Sequence, residues 1–240
     1  MRVLLSQLRT ELFLSLRQGE QVLVSIGIPV LVLVFFSTTD VLPIGIERPV
    51  DFVTPGVLAL AVLSTALVSL GISTGFDRHY GVLKRLGASP LGTARWIVAK
   101  VALVLAIEAI QWVILVLVAL ALGWSPGGGW LAALAAALLG TAAFAGIGLL
   151  MAGTLPGLVN MAATNGLYLL LLLTGGMVLP LDHLPTALGV VARILPAAPL
   201  SEIMAGAFRA GQSASAGAWL TLTLWALLAP SVAALFFRWE

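Results

Sequence analysis

Long apolar runs, broken by short stretches of charge, proline and glycine, set the plan of the chain. Nineteen uncharged residues lie between Glu20 and Asp40, close to the roughly 20 apolar residues that carry a helix across a bilayer. Pro29 is placed to kink or thin this first span. Asp40 to Asp51, with Glu47 and Arg48, reads as an external loop. Thr54–Pro55 has the form of an N-cap followed by a first-turn proline, so a second span is expected from there to about Phe76. Ser89–Pro90 repeats the device and launches a helix through Trp96 into a third span, ending near Leu122. No charge occurs between Glu108 and Asp182, and this tract is divided by turn signals at 123–129 and 153–157. They delimit a fourth span, about Trp130 to Ala152, and a fifth, about Asn160 to Leu179. The final span runs from about Ala216 to Phe237, with Arg238 and Trp239 as interfacial anchors.

Two segments depart from this rhythm. In residues 2–18, Leu5, Leu8, Leu12 and Leu16 recur at helical spacing while Arg2, Arg9 and Gln18 fall off the stripe. This predicts an amphipathic helix lying in the interface, stopped at Gly19, with a cytoplasmic extension of the first span as the alternative. Such a start, followed by a run long enough to stay in the membrane, predicts no cleavable signal peptide. Residues 181–212 hold two apolar pieces of about ten residues, Pro185 to Ile194 and Leu200 to Ala210, each too short to cross. Bounded by Pro180, Pro185, Pro196 and Pro199, they predict an external hairpin of helices that dips into the outer leaflet or lies on it.

Five of the twelve Lys and Arg residues crowd into Phe76 to Lys100, between two apolar runs. That segment must be in water. It reads as a helix bearing Asp77, Arg78, Lys84 and Arg85, a break at Gly87, and a second helix start, forming a loop over 77–95. Counting Lys and Arg on the two sides of a six-span arrangement with both termini inside gives nine within and three without, which sets the orientation. A basic helical loop on the cytoplasmic side is where a transporter can receive force from a soluble motor.

Composition narrows the class. With 60% hydrophobic and 9% charged residues and a mean hydropathy of +1.11, the chain is an all-α integral membrane protein, a single transmembrane domain over 1–240. Cysteine is absent, so disulfides, thiolate metal sites and cysteine nucleophiles are excluded. His79 and His183 have no metal-ligand neighbours in sequence and read as surface residues, and no phosphate-binding glycine loop is present. Within the spans, Gly71 and Gly75 form a GxxxG pair, and Thr65, Ser69 and Ser73 share a face that either packs helices or lines a pathway. Glu108, two turns beyond Lys100, is the one acid inside a span, and Gln111 extends its polar face. An ionisable group at that depth should face protein or water. It serves either as a hydrogen bond to a neighbouring span or as a contact for a cationic or hydrogen-bonding substrate.

The chain resembles the membrane subunits of type-2 ABC exporters, the permeases of drug, antibiotic, polysaccharide and lipid export. Asp77 to Leu86, DRHYGVLKRL, followed by Ser89–Pro90 and Lys100, is similar to the family's coupling segment. Thr174 to Pro180, TGGMVLP, then Leu184–Pro185, Leu195–Pro196 and Pro199–Leu200, is similar to its fifth-span end and re-entrant hairpin. His79 departs from the pattern, which often has Glu there. The resemblance implies that Asp77, Arg78, Gly81, Lys84, Arg85 and Pro90 couple to a separate ATPase. It also implies two ATPase copies, which would bind ATP and magnesium, and a second permease subunit, identical or related. No cofactor is expected on this chain, no nucleic acid as partner, and the cell membrane as its location. Two other readings stay open: an intramembrane lipid-modifying enzyme using Glu108, Asp182 and His183, and a non-transporting membrane anchor or sensor for an ATPase.

Overall fold

The computed structural model describes residues 19–39, 48–87, 92–177, 185–209 and 213–238, and all their regular structure is helical. In chain order the helices are α1 (Gly19–Thr38), α2 (Pro49–His79), α3 (Val82–Gly87), α4 (Gly92–Ala121), α5 (Trp130–Thr154), α6 (Gly157–Thr174), α7 (Thr186–Ile194), α8 (Ala197–Phe208) and α9 (Ala216–Phe236). Five of them, α2, α4 from Trp96, α5, α6 and α9, are long and apolar enough to cross a membrane. α1 runs through Pro29 as continuous helix, with a shorter apolar stretch over Ile26–Thr38. The 2–18 segment, most of the 40–51 loop, Ser89, Pro90, Pro180, Asp182, His183 and Trp239 lie outside the described residues.

α2 is the centre of the bundle. Nearly every residue from Val53 to Leu63 is buried, and the helix packs on α1, α4, α5 and α8. It starts at Pro49, which occupies the first turn after Arg48, six residues earlier than Thr54–Pro55 suggests. Thr54 is not a cap: its hydroxyl donates to the Val50 carbonyl, 2.7 Å away within the helix. Pro55 is carried inside α2 because close neighbours on every side hold the helix together despite the lost donor. A π-helical turn, Ser64–Ser69, interrupts the α-geometry without ending the helix.

Small residues set the close contacts. Gly71 meets Gly148 of α5, and Gly75 faces Asn160 of α6, so the two glycines of the GxxxG pair serve two different helices. The α5–α9 pair is the most extensive in the bundle. It is possible because Gly146 has no Cβ to collide with the backbone at Ala229 and Pro230. The fifth span is shorter than the sequence suggests: α6 starts after Pro156 and stops at Thr174, where Gly176 takes φ +68.

Where the hairpin is expected, the chain forms two half-length helices. α7 and α8 bend by 79° at Leu195–Pro196, so they do not make one straight span. α8 is buried along most of its length against α2 and α5, whereas α7 exposes Leu188, Val190, Val191 and Ile194. Ser201 of α8 donates to the Gly176 carbonyl at 2.9 Å, and Trp225 of α9 donates to the Ile194 carbonyl at 2.7 Å.

Candidate functional site

Chain direction gives the bundle two ends. At one, α2 and α5 finish and α4 begins. Arg78, on the last turn of α2, donates to the carbonyls of Ala152 (3.0 Å) and Leu155 (3.3 Å) at the C-terminus of α5, where unpaired carbonyls favour a cation. One residue before it, Asp77 pairs with Lys100 of α4 at 3.1 Å, and Lys100 also stands 5.6 Å from the Trp96 ring centre. The backbone N–H of Arg238 donates to the Gly153 carbonyl at 3.2 Å, which draws in the end of α9.

Between α2 and α3 the chain turns at Gly81, whose φ of +70 is strained for any residue with a Cβ. α3 then lays Leu83 onto Trp96, with Phe237 alongside, in a small hydrophobic cluster of its own. This leaves His79, Tyr80, Lys84 and Arg85 exposed, Tyr80 to 67%. The sequence-based coupling residues therefore divide. Asp77 and Arg78 join the helices to one another, Gly81 makes the turn, and Lys84 and Arg85 face outward.

At the other end the same device recurs. Arg48 donates to the Gly123 carbonyl at 2.7 Å, and Asp51 accepts from the Ser125 N–H at 3.1 Å. Arg209 donates to the Phe52 carbonyl at 2.6 Å and stands over the Phe52 ring. Trp124, Trp130 and Phe208 pack edge to face, while Gly127 and Gly129 donate to the carbonyls of Phe208 and Ala207. The hairpin is thus sewn to the 123–129 turn. Pro185 and Pro196 precede α7 and α8, and Pro199 is buried in α8.

Midway between these ends lies a polar ladder across three helices. Thr65, in the π-turn of α2, donates to Gln111 Oε1 of α4 at 2.8 Å. One turn away, Glu108 Oε2 accepts from Thr141 of α5 at 2.7 Å. All four residues are buried. Glu108 stands twelve residues from Trp96 and thirteen from Ala121, at the midpoint of its span. Ser69 and Ser73 are only half-buried, and Ser73 donates to the Leu70 carbonyl of its own helix.

Sequence reasoning missed two partners here. Thr141 is the one hydroxyl in the middle of an Ala- and Gly-rich helix, and Asn160, buried at the start of α6, donates to the Gly71 carbonyl at 3.0 Å. For Thr141 the signal was its isolation in the middle of an apolar span, which marks it as bonded without saying to what; Asn160 shares α6 with Thr164, Asn165, Tyr168 and Thr174 and had no such signal.

The arrangement holds a charged and aromatic face at one end, a sewn hairpin at the other and a buried acid between, in a bundle whose helices have the length of membrane spans. Comparison with curated proteins finds no significant match. The sequence profile of the ABC-2 type transporter family matches residues 3–208, most of the chain, and the protein therefore belongs to that family of membrane transport permeases.

Proposed function

We propose that the chain is the membrane subunit of an ATP-driven exporter of hydrophobic or amphipathic compounds, whether drug, antibiotic or lipid-like. It works as half of a paired membrane unit, with an identical or related permease, in the cell membrane and with both termini in the cytoplasm. Two copies of a separate ABC ATPase bind ATP and magnesium and dock at the α2–α3 end. Cargo leaves the cytoplasm or inner leaflet and exits past the α7–α8 hairpin.

The observation that carries this reading is the construction of the α2–α3 end. ATP binding can bias the spans only if the two states present different contacts to the motor. A surface that receives such a contact must be exposed, and what lies behind it must be stiff. Tyr80, Lys84 and Arg85 provide the surface. Behind them, Asp77–Lys100 fixes α2 to α4, Arg78 fixes α2 to α5, and Leu83 seats α3 on Trp96. A push on α3 is delivered to three spans together.

The test reverses the exposed charges and leaves the internal ones alone. The Lys84→Glu/Arg85→Glu variant should reach the membrane at normal levels and lose co-purification of the ATPase. Full retention of the ATPase by that variant would remove the docking assignment.

A further inference from the structure

α4 packs closely on α1, α2 and α3 and meets α5 less closely, the two being joined at mid-span by the Glu108–Thr141 bond. The gap between α4 and α5 is a groove of about 510 Å³, within the range of small-molecule sites. Its walls are apolar, including Leu105, Val116, Trp130 and Leu134, with two exceptions. Glu108 and Trp112 lie one turn apart on the same side of α4 and both line the groove. They are 5% and 9% exposed, and each has a polar atom with no hydrogen-bond partner: Glu108 Oε1, an acceptor, and Trp112 Nε1, a donor.

Buried polar atoms in folded proteins are almost always satisfied. In hydrocarbon the surrounding lipid tails offer nothing in exchange. A lipid acyl chain filling the groove would leave both atoms bare. Both atoms are closed off from the groove in this conformation, so a ligand meets them only as the Glu108 and Trp112 side chains change rotamer; one that brings a donor and an acceptor to the middle of the span then satisfies both at once. Of the donors, an amine suits a carboxyl oxygen best, because the hydrogen bond is assisted by charge.

We infer that the α4–α5 groove binds an elongated apolar molecule whose polar end carries an amine with an oxygen acceptor close beside it. The amine donates to Glu108 Oε1 and the oxygen accepts from Trp112 Nε1. A second groove of about 520 Å³, walled by α4, α5 and α9, meets the first at Leu105 and Leu138 and contains Thr141, so the apolar body has a continuous surface on which to lie. That this site is a station on the export route, and amphipathic amines therefore the cargo class, rests on the exporter reading above; the binding itself does not.

The experiment uses the purified full-length chain in lipid nanodiscs, without nucleotide or ATPase. The probe is a long-chain amino alcohol with a diazirine in its chain, and the control is the chain-matched fatty alcohol with the same diazirine. After photolysis, labelled peptides are located by mass spectrometry. The amino alcohol should label 105–116 and 130–138 and be displaced by its unlabelled form. Labelling should fall about tenfold in Glu108→Gln, the loss expected for one charge-assisted hydrogen bond. It should fall equally in Leu138→Trp, which fills the groove from its exposed side and leaves the polar ladder in place. The fatty alcohol should label weakly in every form. Equal labelling by both probes, insensitive to Glu108→Gln, would assign the groove to lipid chains and overturn the inference. Labelling confined to other helices would do the same. Because no motor is present, failure here leaves the ATPase-docking reading standing. Conversely, a failed docking test leaves the labelling unchanged.

Discussion

Thr65 and Gln111 form one of the hydrogen bonds that fix α2 against α4, and both side chains are buried. Removing the Thr65 hydroxyl takes away the donor 2.8 Å from Gln111 Oε1 in an apolar interior. Thr65→Val should cost roughly 0.5–2 kcal/mol, the range for hydrogen bonds between membrane helices. Because the two side chains share this bond, the loss in Thr65→Val/Gln111→Leu should be smaller than the sum of the two single losses. Thermal unfolding in detergent of the two singles and the double reads this directly; strictly additive losses would show that the pair does not interact. Arg78→Ala makes a sharper loss, on the order of 1.5–3 kcal/mol for charge-assisted bonds, and should lower the unfolding midpoint as well as transport. In sequence, Glu108 stands out because it is the one acid in an apolar span, and Gln111 because it follows at helical spacing. Their partners were not legible. Thr65 is equally suited to facing any neighbour, and Thr141 is separated from Glu108 by 33 positions. A lone hydroxyl shows that a bond exists without showing its direction.

Helix number and order were written in the apolar periods and turn signals, because a bilayer allows few ways to arrange a run of about 20 apolar residues. The ends were less legible. Two proline signals compete at the start of α2, Arg48–Pro49 and Thr54–Pro55, and packing around Val53–Leu63 selects the first. The π-turn at Ser64–Ser69 has no proline or glycine to announce it. The hairpin was predicted from half-length runs between prolines, and two helices meeting at 79° at Leu195–Pro196 occupy that stretch. Two glycines give tests at this scale. Gly81→Ala forces a Cβ into left-handed backbone in open space, a strain of roughly 1 kcal/mol that falls on the α2–α3 joint alone. It should weaken coupling while lowering the unfolding midpoint by only about 2–4 °C. Gly146→Leu pushes α5 away from Pro230 of α9 and should prevent stable folding, seen as loss of monodisperse protein. A well-folded Gly146→Leu protein would contradict the described α5–α9 contact.

Across the whole molecule, arginines at both ends donate to backbone carbonyls of a neighbouring element: Arg78 at one, Arg48 and Arg209 at the other. The helices are thereby fixed at their ends. Between them, α4 and α5 are joined across their groove by the Glu108–Thr141 bond. Because the chain has no cysteine, single cysteines report sidedness without background. Lys84→Cys should react with a membrane-impermeant maleimide only from the cytoplasm and Ser213→Cys only from outside; reaction of both from one side would overturn the proposed topology. The central claim is that this permease does its work through a motor seated on α3. The most direct measurement is ATP-dependent efflux of a fluorescent hydrophobic amine from vesicles that contain the chain assembled with its ATPase. The account predicts efflux that requires ATP and disappears, together with substrate-stimulated hydrolysis, in Lys84→Glu/Arg85→Glu. Efflux that proceeds undiminished in that variant, or without any ABC ATPase, would contradict it.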